Sequence, residues 1–275
     1  MDKEFCQKVL DFFFLNKASL HEEDFDFVRA RNAKVYRVNY GTKECYLKVY
    51  AHKKISKKVQ NNLQRRPEGI RNIKIALGLL DAGIMTAKPI FSATKRNFFT
   101  YDSMFFMEKA EGIDLEDYVK MNGLSGNRDV LKVLGGMWGK IIGNNFIHQD
   151  PTLGNMFIDC CTETVKITLI DIDDIYALPF SLPMKFALHS VARFFVVVYS
   201  CLFYNEKEPL NREDLNIFLT EFVNNCHREV SFSKITADLD RLIIKKIYEK
   251  KRQHIIPFSP VLSEIAGKNK KSTIA

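Results

Sequence analysis

Residues 146–158 read Phe-Ile-His-Gln-Asp-Pro-Thr-Leu-Gly-Asn-Met-Phe-Ile, and this stretch decides the fold of the chain. Asp150 stands five positions before Asn155, and His148 stands two positions before the aspartate. This H-x-D-x-x-x-x-N spacing is typical of phosphotransferase catalytic loops. Phosphoryl transfer needs a carboxylate that accepts the proton of the acceptor hydroxyl, and an amide oxygen that holds a metal on the phosphates. The stretch therefore predicts Asp150 as catalytic base and Asn155 as metal ligand, although Asp-Pro and Gly also occur in ordinary turns.

A second acidic position strengthens this prediction. After Asn155, a short strand, a polar turn and a second strand at 165–170 lead to Asp171, which begins the run Asp-Ile-Asp-Asp. In kinase-like enzymes the aspartate after this strand binds the Mg²⁺ that bridges the nucleotide phosphates. An acidic run after a strand is more often a solvated turn. The order of the two motifs nevertheless favours Asp171 as a second metal ligand.

The predicted contact to the nucleotide lies in a hairpin at residues 34–50, with its turn at 39–43. Its second strand reads Cys-Tyr-Leu-Lys-Val-Tyr, which places Lys48 among apolar residues. A buried lysine is costly unless an anion meets it, and kinases use a strand lysine on the α- and β-phosphates of ATP. Lys48 is therefore the predicted nucleotide contact, with a lysine that snorkels at a sheet edge as the alternative. No G-x-G-x-x-G precedes it, so a plainer hairpin is expected to cover the nucleotide.

A helix is predicted over residues 67–82, because proline favours a first helical turn and Gly83 stops the helix. In kinases the strand lysine is usually oriented by a glutamate on the following helix. Glu68 is the predicted partner of Lys48, with Asn72 as the alternative. A first-turn acid is also explained by the helix dipole alone. Apolar residues on both faces predict that both faces of this helix are covered.

The chain changes character at Glu108, where strands give way to Lys-Ala-Glu-Gly and then to helices. We expect an α+β, two-lobed, protein-kinase-like fold, with a small, mainly antiparallel β N-lobe at 1–108 and a mainly helical C-lobe at 109–275. Backbone groups of Glu108 and Ala110 are expected to hydrogen-bond adenine at this connection. The strands nearest the boundary are expected at residues 87–91 and 98–107.

Two long apolar segments of the C-lobe are interpreted as core helices. Residues 130–146 carry apolar side chains at helical spacing. The Gly135-Gly136 pair predicts close helix packing there, because no strand precedes it as phosphate binding would require. The run 194–204 is about half the length of a membrane span, and we interpret it as a buried helix.

Composition bounds the class of protein. The 275 residues are 46% hydrophobic and 27% charged, which is enough for a good core and for either one domain of two lobes or two small domains. The six cysteines form no C-x-x-C pair, so a disulfide frame or zinc site is not indicated and a reducing cytosol fits best. The start of the chain lacks the basic and long apolar regions of a signal peptide, so we do not expect secretion.

The net charge of +8 is partly concentrated in one basic segment. Such a segment attracts phosphorylated glycolipid, nucleotide or an anionic membrane surface, although a solvated basic face explains it equally well. No zinc finger, RNP-like strand or basic zipper occurs, so nucleic acid is not expected as a partner. The cations are Lys53, Lys54, Lys57, Lys58, Arg65 and Arg66.

Taken together, four segments resemble the lipopolysaccharide core kinases, the Kdo/heptose kinase family with a protein-kinase-like fold. The resemblance spans about residues 30–200. It implies phosphorylation of a sugar hydroxyl in the inner core of lipopolysaccharide, Kdo or heptose, with ATP and Mg²⁺ or Mn²⁺. It also implies a cytoplasmic location, or a peripheral one on the inner face of the inner membrane. The segments are Tyr-Leu-Lys-Val-Tyr, Met-Glu-Lys-Ala-Glu-Gly-Ile-Asp-Leu, the loop around Asp150, and Leu-Ile-Asp-Ile-Asp-Asp.

Carried over residue by residue, the resemblance implies nucleotide contact at Lys48, the base at Asp150, and metal ligation by Asn155 and Asp171. Two other classes stay open: an atypical protein kinase acting on Ser, Thr or Tyr, and a non-catalytic kinase-like scaffold. The presence of base and metal residues argues against the scaffold. Gln149 stands where protein kinases prefer Arg, and no Ala-Pro-Glu follows the second acid, which favours a sugar or glycolipid kinase.

Overall fold

The computed structural model describes residues 3–15, 25–30, 33–50, 67–97, 100–161 and 164–272. The chain divides into two compact units. The first comprises Met1–Gly78 and Thr86–Ala110, and the second comprises Leu79–Met85 and Glu111–Ala275. The basic segment that carries Lys53 lies outside the described residues.

The first unit contains α1 (Lys3–Phe14), β1 (Phe25–Ala30), β2 (Lys34–Tyr40), β3 (Lys43–Tyr50), most of α2 (Glu68–Asp81), β4 (Pro89–Asn97) and β5 (Thr100–Glu108). Its strands form a five-stranded antiparallel sheet with the order β1-β2-β3-β5-β4. The predicted hairpin at 34–50 is confirmed, with Gly41 at φ +58° in its turn.

The two faces of this sheet are covered by different helices. Helix α1 lays Phe5, Val9 and Phe12 against one face, in a buried cluster that includes Leu47 of β3 and Phe106 of β5. Each such buried side chain contributes about 1.5–3 kcal/mol relative to exposure. Side chains alternate along a strand, so Lys48 belongs to the opposite face, which α2 covers.

Helix α2 matches the predicted element closely, and Gly83 follows it at φ +68°. Its buried positions include Asn72, Ile75 and Leu79, the face predicted to contain Glu68. The second face is covered only in part: Ile70, Ile73 and Leu80 are half-buried, whereas Leu77 is 51% exposed.

The second unit holds the remaining elements, mainly helices with two small sheets. The predicted helix at 130–146 ends earlier, at Gly143, because Asn145 adopts φ +62° and Phe146 already begins a strand. The elements of the second unit are β6 (Ile113–Asp114), α3 (Leu115–Asn122), α4 (Arg128–Gly143), β7 (Phe146–His148), β8 (Met156–Asp159), β9 (Lys166–Leu169), β10 (Ile175–Ala177), α5 (Met184–Tyr204), α6 (Arg212–Cys226), α7 (Phe232–Glu249) and α8 (Pro260–Ser272).

Close packing of α4 on α6 depends on glycine. A Cβ at Gly135 would lie 2.2 Å from the carbonyl oxygen of Phe218. Gly139 and Gly143, one and two turns further along α4, would each bring a Cβ to 2.4 Å from another carbonyl oxygen of α6. Real Cβ atoms do not approach so closely, so the helices can meet only because these positions lack side chains. The predicted packing role of Gly135 is confirmed.

Helix α5 is the predicted apolar helix, and it is a core element of the second unit, with Phe194, Phe195 and Tyr199 each at most 1% exposed. Within the described residues it is the one helix that is long and apolar enough to cross a membrane. Because 67% of its most apolar window is buried in the protein, its apolar character is explained by the core.

Candidate active site

The loop after β7 is held at both ends by backbone hydrogen bonds. His148 of β7 pairs with Ile175 of β10, and the Gln149 N–H donates to the carbonyl oxygen of Asp174 at 2.9 Å. The Thr152 N–H donates to the Asp150 carbonyl oxygen at 2.9 Å. The side chain of Asp150 is exposed between these anchors. A carboxylate fixed by its backbone and open to solvent can accept a proton from an incoming hydroxyl.

Asn155 closes the loop and directs its own amide. Its Nδ2 donates to the carbonyl oxygen of Asp150 at 3.3 Å. The donor of this side chain is therefore used within the loop, so Oδ1 is the atom that can bind a cation. Gly154 precedes it in the short 3₁₀ turn Leu153–Asn155, which leads directly into β8.

The pairing of β8 with β9 brings Asn155 and Asp171 to the same end of a hairpin. Met156 lies opposite Leu169 in the register, and the Ile170 N–H donates to the Asn155 carbonyl oxygen at 2.9 Å. Asp171 is the next residue, and it is half-buried. Two residues separated by 16 positions thus lie side by side, as the motif order predicted.

His148 lies beneath the loop as a buried, neutral imidazole. It is 0% exposed, and neither ring nitrogen has a hydrogen-bond partner within the described part of the chain. Its ring stacks near Trp138, with centroids 6.1 Å apart. Burial lowers the pKa of His148 to about 4, and the carboxylates of Asp150 and Asp171 only partly oppose this effect. The histidine of the motif therefore acts as packing under the loop.

Arg193 of α5 is a functional candidate that the sequence motifs did not reveal. Its guanidinium donates to the carbonyl oxygen of Gln149, the residue before Asp150. The only sequence signal for this role was that Arg193 is a charged residue directly before the long apolar run 194–204. Arg193 thus fixes the loop from a helix 44 positions further along the chain.

Lys48 in the first unit is buried, with 4% of its surface exposed. It lies opposite Phe105 of β5, on the same sheet face as Tyr50 and Ser103. Helix α2 docks on this face through two polar contacts: the Gly69 N–H donates to Ser103 Oγ at 3.1 Å, and Asn72 Nδ2 donates to Tyr50 OH at 2.8 Å. The face carrying Lys48 is therefore the face that meets α2.

Glu68 sits directly before the contact residue Gly69. A Cβ at Gly69 would lie 2.2 Å from the Met104 carbonyl oxygen, so the first turn of α2 touches β5 backbone to backbone. Glu68 is half-buried at this junction. This placement is consistent with its predicted pairing to Lys48, which stays a prediction. Asn72, the alternative partner, already donates its amide to Tyr50.

The segment predicted to bind adenine lies at the end of β5. The Glu108 N–H donates to the Lys88 carbonyl oxygen at 2.9 Å, and the Lys109 N–H donates to the Glu44 carbonyl oxygen at 3.1 Å. Among the described residues, none accepts a hydrogen bond from the Ala110 N–H. The role of this segment in binding adenine stays a prediction.

Comparisons with known proteins bear on the family and the fold of this chain. A profile of the lipopolysaccharide kinase (Kdo/WaaP) family matches residues 24–175, more than half of the 275-residue chain. Among solved structures, WaaP in complex with acyl carrier protein is similar at 13% identity and a TM-score of 0.59, over 84% of this chain and 88% of that chain. WbdD matches at 18% identity and a TM-score of 0.47, over 81% of this chain and 50% of that chain.

No curated protein sequence is recognisably similar to this chain. The likeness to WaaP confirms the predicted α+β, protein-kinase-like fold. The profile match confirms the family resemblance that the four sequence segments indicated. The chain belongs to the lipopolysaccharide kinase (Kdo/WaaP) family.

Proposed function

We propose that this protein is an ATP-dependent kinase that phosphorylates a sugar hydroxyl of the lipopolysaccharide inner core, on Kdo or heptose. The observation that carries the proposal is the hairpin geometry of the second unit. It places Asn155 beside Asp171 and presents Asp150 to solvent on the adjoining loop. Base and metal ligands on one rigid turn are what phosphoryl transfer requires.

In the proposed reaction the sugar hydroxyl oxygen attacks the γ-phosphorus of ATP while the bond to the β-phosphate oxygen breaks. The hydroxyl proton passes to the Asp150 carboxylate, and ADP leaves. Arg193 and the backbone bonds of Gln149 hold the loop so that Asp150 needs no reorganisation during the step.

Asn155 and Asp171 fit a divalent cation, Mg²⁺ or Mn²⁺. Mg²⁺ usually takes one or two protein oxygens together with substrate phosphates and water. The described residues contain no cluster of three or more His, Cys, Asp or Glu that could cage a metal, so the two-ligand arrangement suits a cation that arrives with the nucleotide. When bound, such a cation neutralises the developing phosphate charge.

The first unit supplies the proposed nucleotide contacts. Lys48 would meet the α- and β-phosphates, oriented by Glu68, and the backbone at Glu108 and Ala110 would bind adenine. Burial of Lys48 supports this role, because a buried ammonium is stable only when anions compensate it.

A sugar acceptor is favoured over a protein acceptor by the segment after Asp171. Only residues 172–183 separate it from the first residue of α5, Met184, and three of them form β10. This leaves little chain for the peptide-binding activation segment of a protein kinase. We place the enzyme in the cytoplasm, where ATP is available, with Lys53, Lys54, Lys57 and Lys58 as a proposed contact to anionic membrane.

The test is mass spectrometry of core oligosaccharide from cells with the gene, without it, and with the Asp150→Asn variant. The proposal predicts that one phosphate is lost in the deletion, restored by the wild-type gene and not by the variant. Identical phosphate content in all three strains would overturn it. Asp129→Asn, which removes an exposed acid in the same unit, is the matched control and should restore the phosphate.

A further inference from the structure

A cavity of about 150 Å³ opens beside the candidate base. Asp150, Pro151 and Thr152 form one wall, and the apolar Val196 and Val197 of α5 form another. The rest of the lining is basic, and we refer to it as the basic pocket: Arg193, Lys246, Lys250 and Arg252.

The four cations come from α5, from the C-terminal end of α7 and from the turn after it, and all of them line the cavity. Arg193 belongs to α5 and donates to the Gln149 carbonyl oxygen. Lys246 lies in the last turn of α7, and Lys250 follows that helix. Arg252 donates its Nη1 to the Ser200 hydroxyl at 2.7 Å. Residues separated by about 60 positions in sequence are therefore gathered around one small space.

Acids do not balance this charge. Lys246 pairs with Glu249 at 2.5 Å, and Lys245 also approaches that carboxylate, at 3.9 Å. Within the described part of the chain, Arg193, Lys250 and Arg252 form no ion pair with a carboxylate.

His189 lies near these cations. Burial is the main cause that lowers its pKa, and Lys246, Lys245 and Arg193 lower the pKa further, against the opposing effect of Glu249.

Helix capping explains only part of the basic pocket. Lys246 and Lys250 suit the negative C-terminal end of α7 on dipole grounds. Arg193, however, lies in the middle third of α5, and Arg252 is bound to a serine hydroxyl of that helix. Dipole compensation would not require these four side chains to line a space next to Asp150.

We propose that the basic pocket is an acceptor subsite, which binds an anionic group of the sugar substrate beside the hydroxyl that Asp150 deprotonates. This inference rests on the proposed function. The group is a carboxylate or a phosphate ester, because arginine and lysine recognise both through charge-assisted hydrogen bonds. One water needs about 10–15 Å³ of such space, so a cavity of about 150 Å³ has room for a carboxylate or phosphate group while the sugar ring lies over Asp150.

The subsite is tested by acceptor kinetics of Lys250→Gln and Arg252→Gln in the full-length protein. Each variant should raise the KM for purified lipopolysaccharide acceptor about tenfold, because a hydrogen bond to a charged group is lost. The KM for ATP should stay unchanged. Lys245→Gln is the matched control: it removes a cation from the same helix that does not line the pocket, and it should keep the wild-type KM.

Two modified acceptors distinguish the sources of the anion. One has its carboxylates methyl-esterified, and the other has been dephosphorylated. The modification that removes the relevant anion should raise the KM of the wild type about tenfold and leave the KM of Lys250→Gln unchanged. Lys250 is exposed and makes no ion pair in the described structure, so this variant should fold even if Arg252→Gln does not.

The outcomes separate the two proposals. If wild-type protein transfers phosphate but neither acceptor modification nor either substitution changes the acceptor KM, the subsite is wrong and the kinase assignment stands. If Lys245→Gln raises the KM as much as Lys250→Gln, general charge attraction replaces a built subsite. If wild-type protein transfers phosphate to no form of the acceptor, both proposals fall.

Discussion

Lys48 and Asp150, the two charged residues assigned to opposite partners in the reaction, are held in opposite ways. Lys48 is 4% exposed, fixed in the middle of a sheet and covered by a helix. Asp150 is exposed on a loop that is held by backbone bonds, the Asn155 side-chain amide and Arg193. In the proposed reaction the nucleotide is the same in every turnover, so a contact to it can be packed into the core. The proposed acceptor is bulky, so the proposed base has to stay accessible.

Because of this difference, substitutions at Lys48 and at Asp150 should differ in how they affect stability and catalysis. A buried ammonium contributes to folding only while it is compensated, so a change at Lys48 should act on the fold and on the proposed nucleotide contact together. Among the described residues the Asp150 side chain makes no hydrogen bond, because the loop is anchored through the Asp150 main chain. Substitutions at the two positions should therefore give different signatures.

The largest effect is expected from Asp150→Asn. Removing a general base costs about 10²- to 10⁴-fold in kcat. The affinity for Mg-ATP and the melting temperature should remain those of the wild type, because in the proposed reaction the carboxylate acts on the acceptor hydroxyl and not on ATP. Steady-state kinetics, calorimetric titration and thermal unfolding check the three parts. A variant that keeps most of its turnover would show that Asp150 is not the base.

A second prediction concerns the buried group under the loop. His148 has an ordinary pKa of 6.5, and burial lowers it to about 4 in the folded protein. Between these values the unfolded chain binds a proton that the native protein does not, so stability falls as the pH drops from 6.5 to 4. The loss approaches about 3 kcal/mol. Denaturant unfolding across this range should show a smaller loss for His148→Phe.

The control for that measurement is His227→Asn. His227 is exposed and adopts φ +52°, which asparagine tolerates. This variant should keep the pH dependence of the wild type. If His148→Phe also keeps it, the buried imidazole is not the source of the acid sensitivity.

The substitution Asp171→Asn tests the proposed role of Asp171 as a metal ligand. Loss of one charged oxygen should weaken Mg-ATP binding about 10- to 100-fold, by analogy with the loss of groups that support metal ligands. Titrating Mg-ATP calorimetrically at several Mg²⁺ concentrations measures the effect. Unchanged affinity with unchanged metal dependence would remove Asp171 from the site. Asp150→Asn, titrated alongside, should bind as the wild type does.

The smallest effect is expected in the coupling of Lys48 to Glu68. Glu68→Gln should lower kcat/KM for ATP, and Lys48→Met combined with it should cost little more than Lys48→Met alone. The coupling should amount to roughly 0.5–3 kcal/mol, the range for residues in contact. Lys74, exposed on the same helix, supplies the control pair: Lys74→Met should add independently to Glu68→Gln. Additive costs for Lys48 and Glu68 would mean that another group orients the lysine.

Local patterns predicted much of this molecule. The loop at 146–158, the hairpin at 34–50 and α2 each follow from spacing and turn residues within a few positions. The ends of the strands were less predictable. Strand β4 was expected at 87–91 but runs to Asn97, because pairing with β5 extends the strand through its polar residues.

Contacts that depend on the tertiary fold could not be predicted. Arg193, Lys246 and Arg252 look like ordinary helix and turn cations in the sequence, and only the packing of α5 and α7 brings them to Asp150. No motif in the sequence of helix α1 predicts which face of the sheet it covers. Residue spacing predicts which side chains lie close together on one helix or strand. The contacts described here join elements that are far apart in the sequence.

The most direct measurement is phosphate transfer by purified wild-type protein from γ-labelled ATP to a purified Kdo- and heptose-containing acceptor, with ADP quantified in parallel. The account predicts one labelled phosphate on a sugar hydroxyl for each ADP formed, and dependence on a divalent cation. ADP formed without label on the sugar, or label found only on protein, would contradict it.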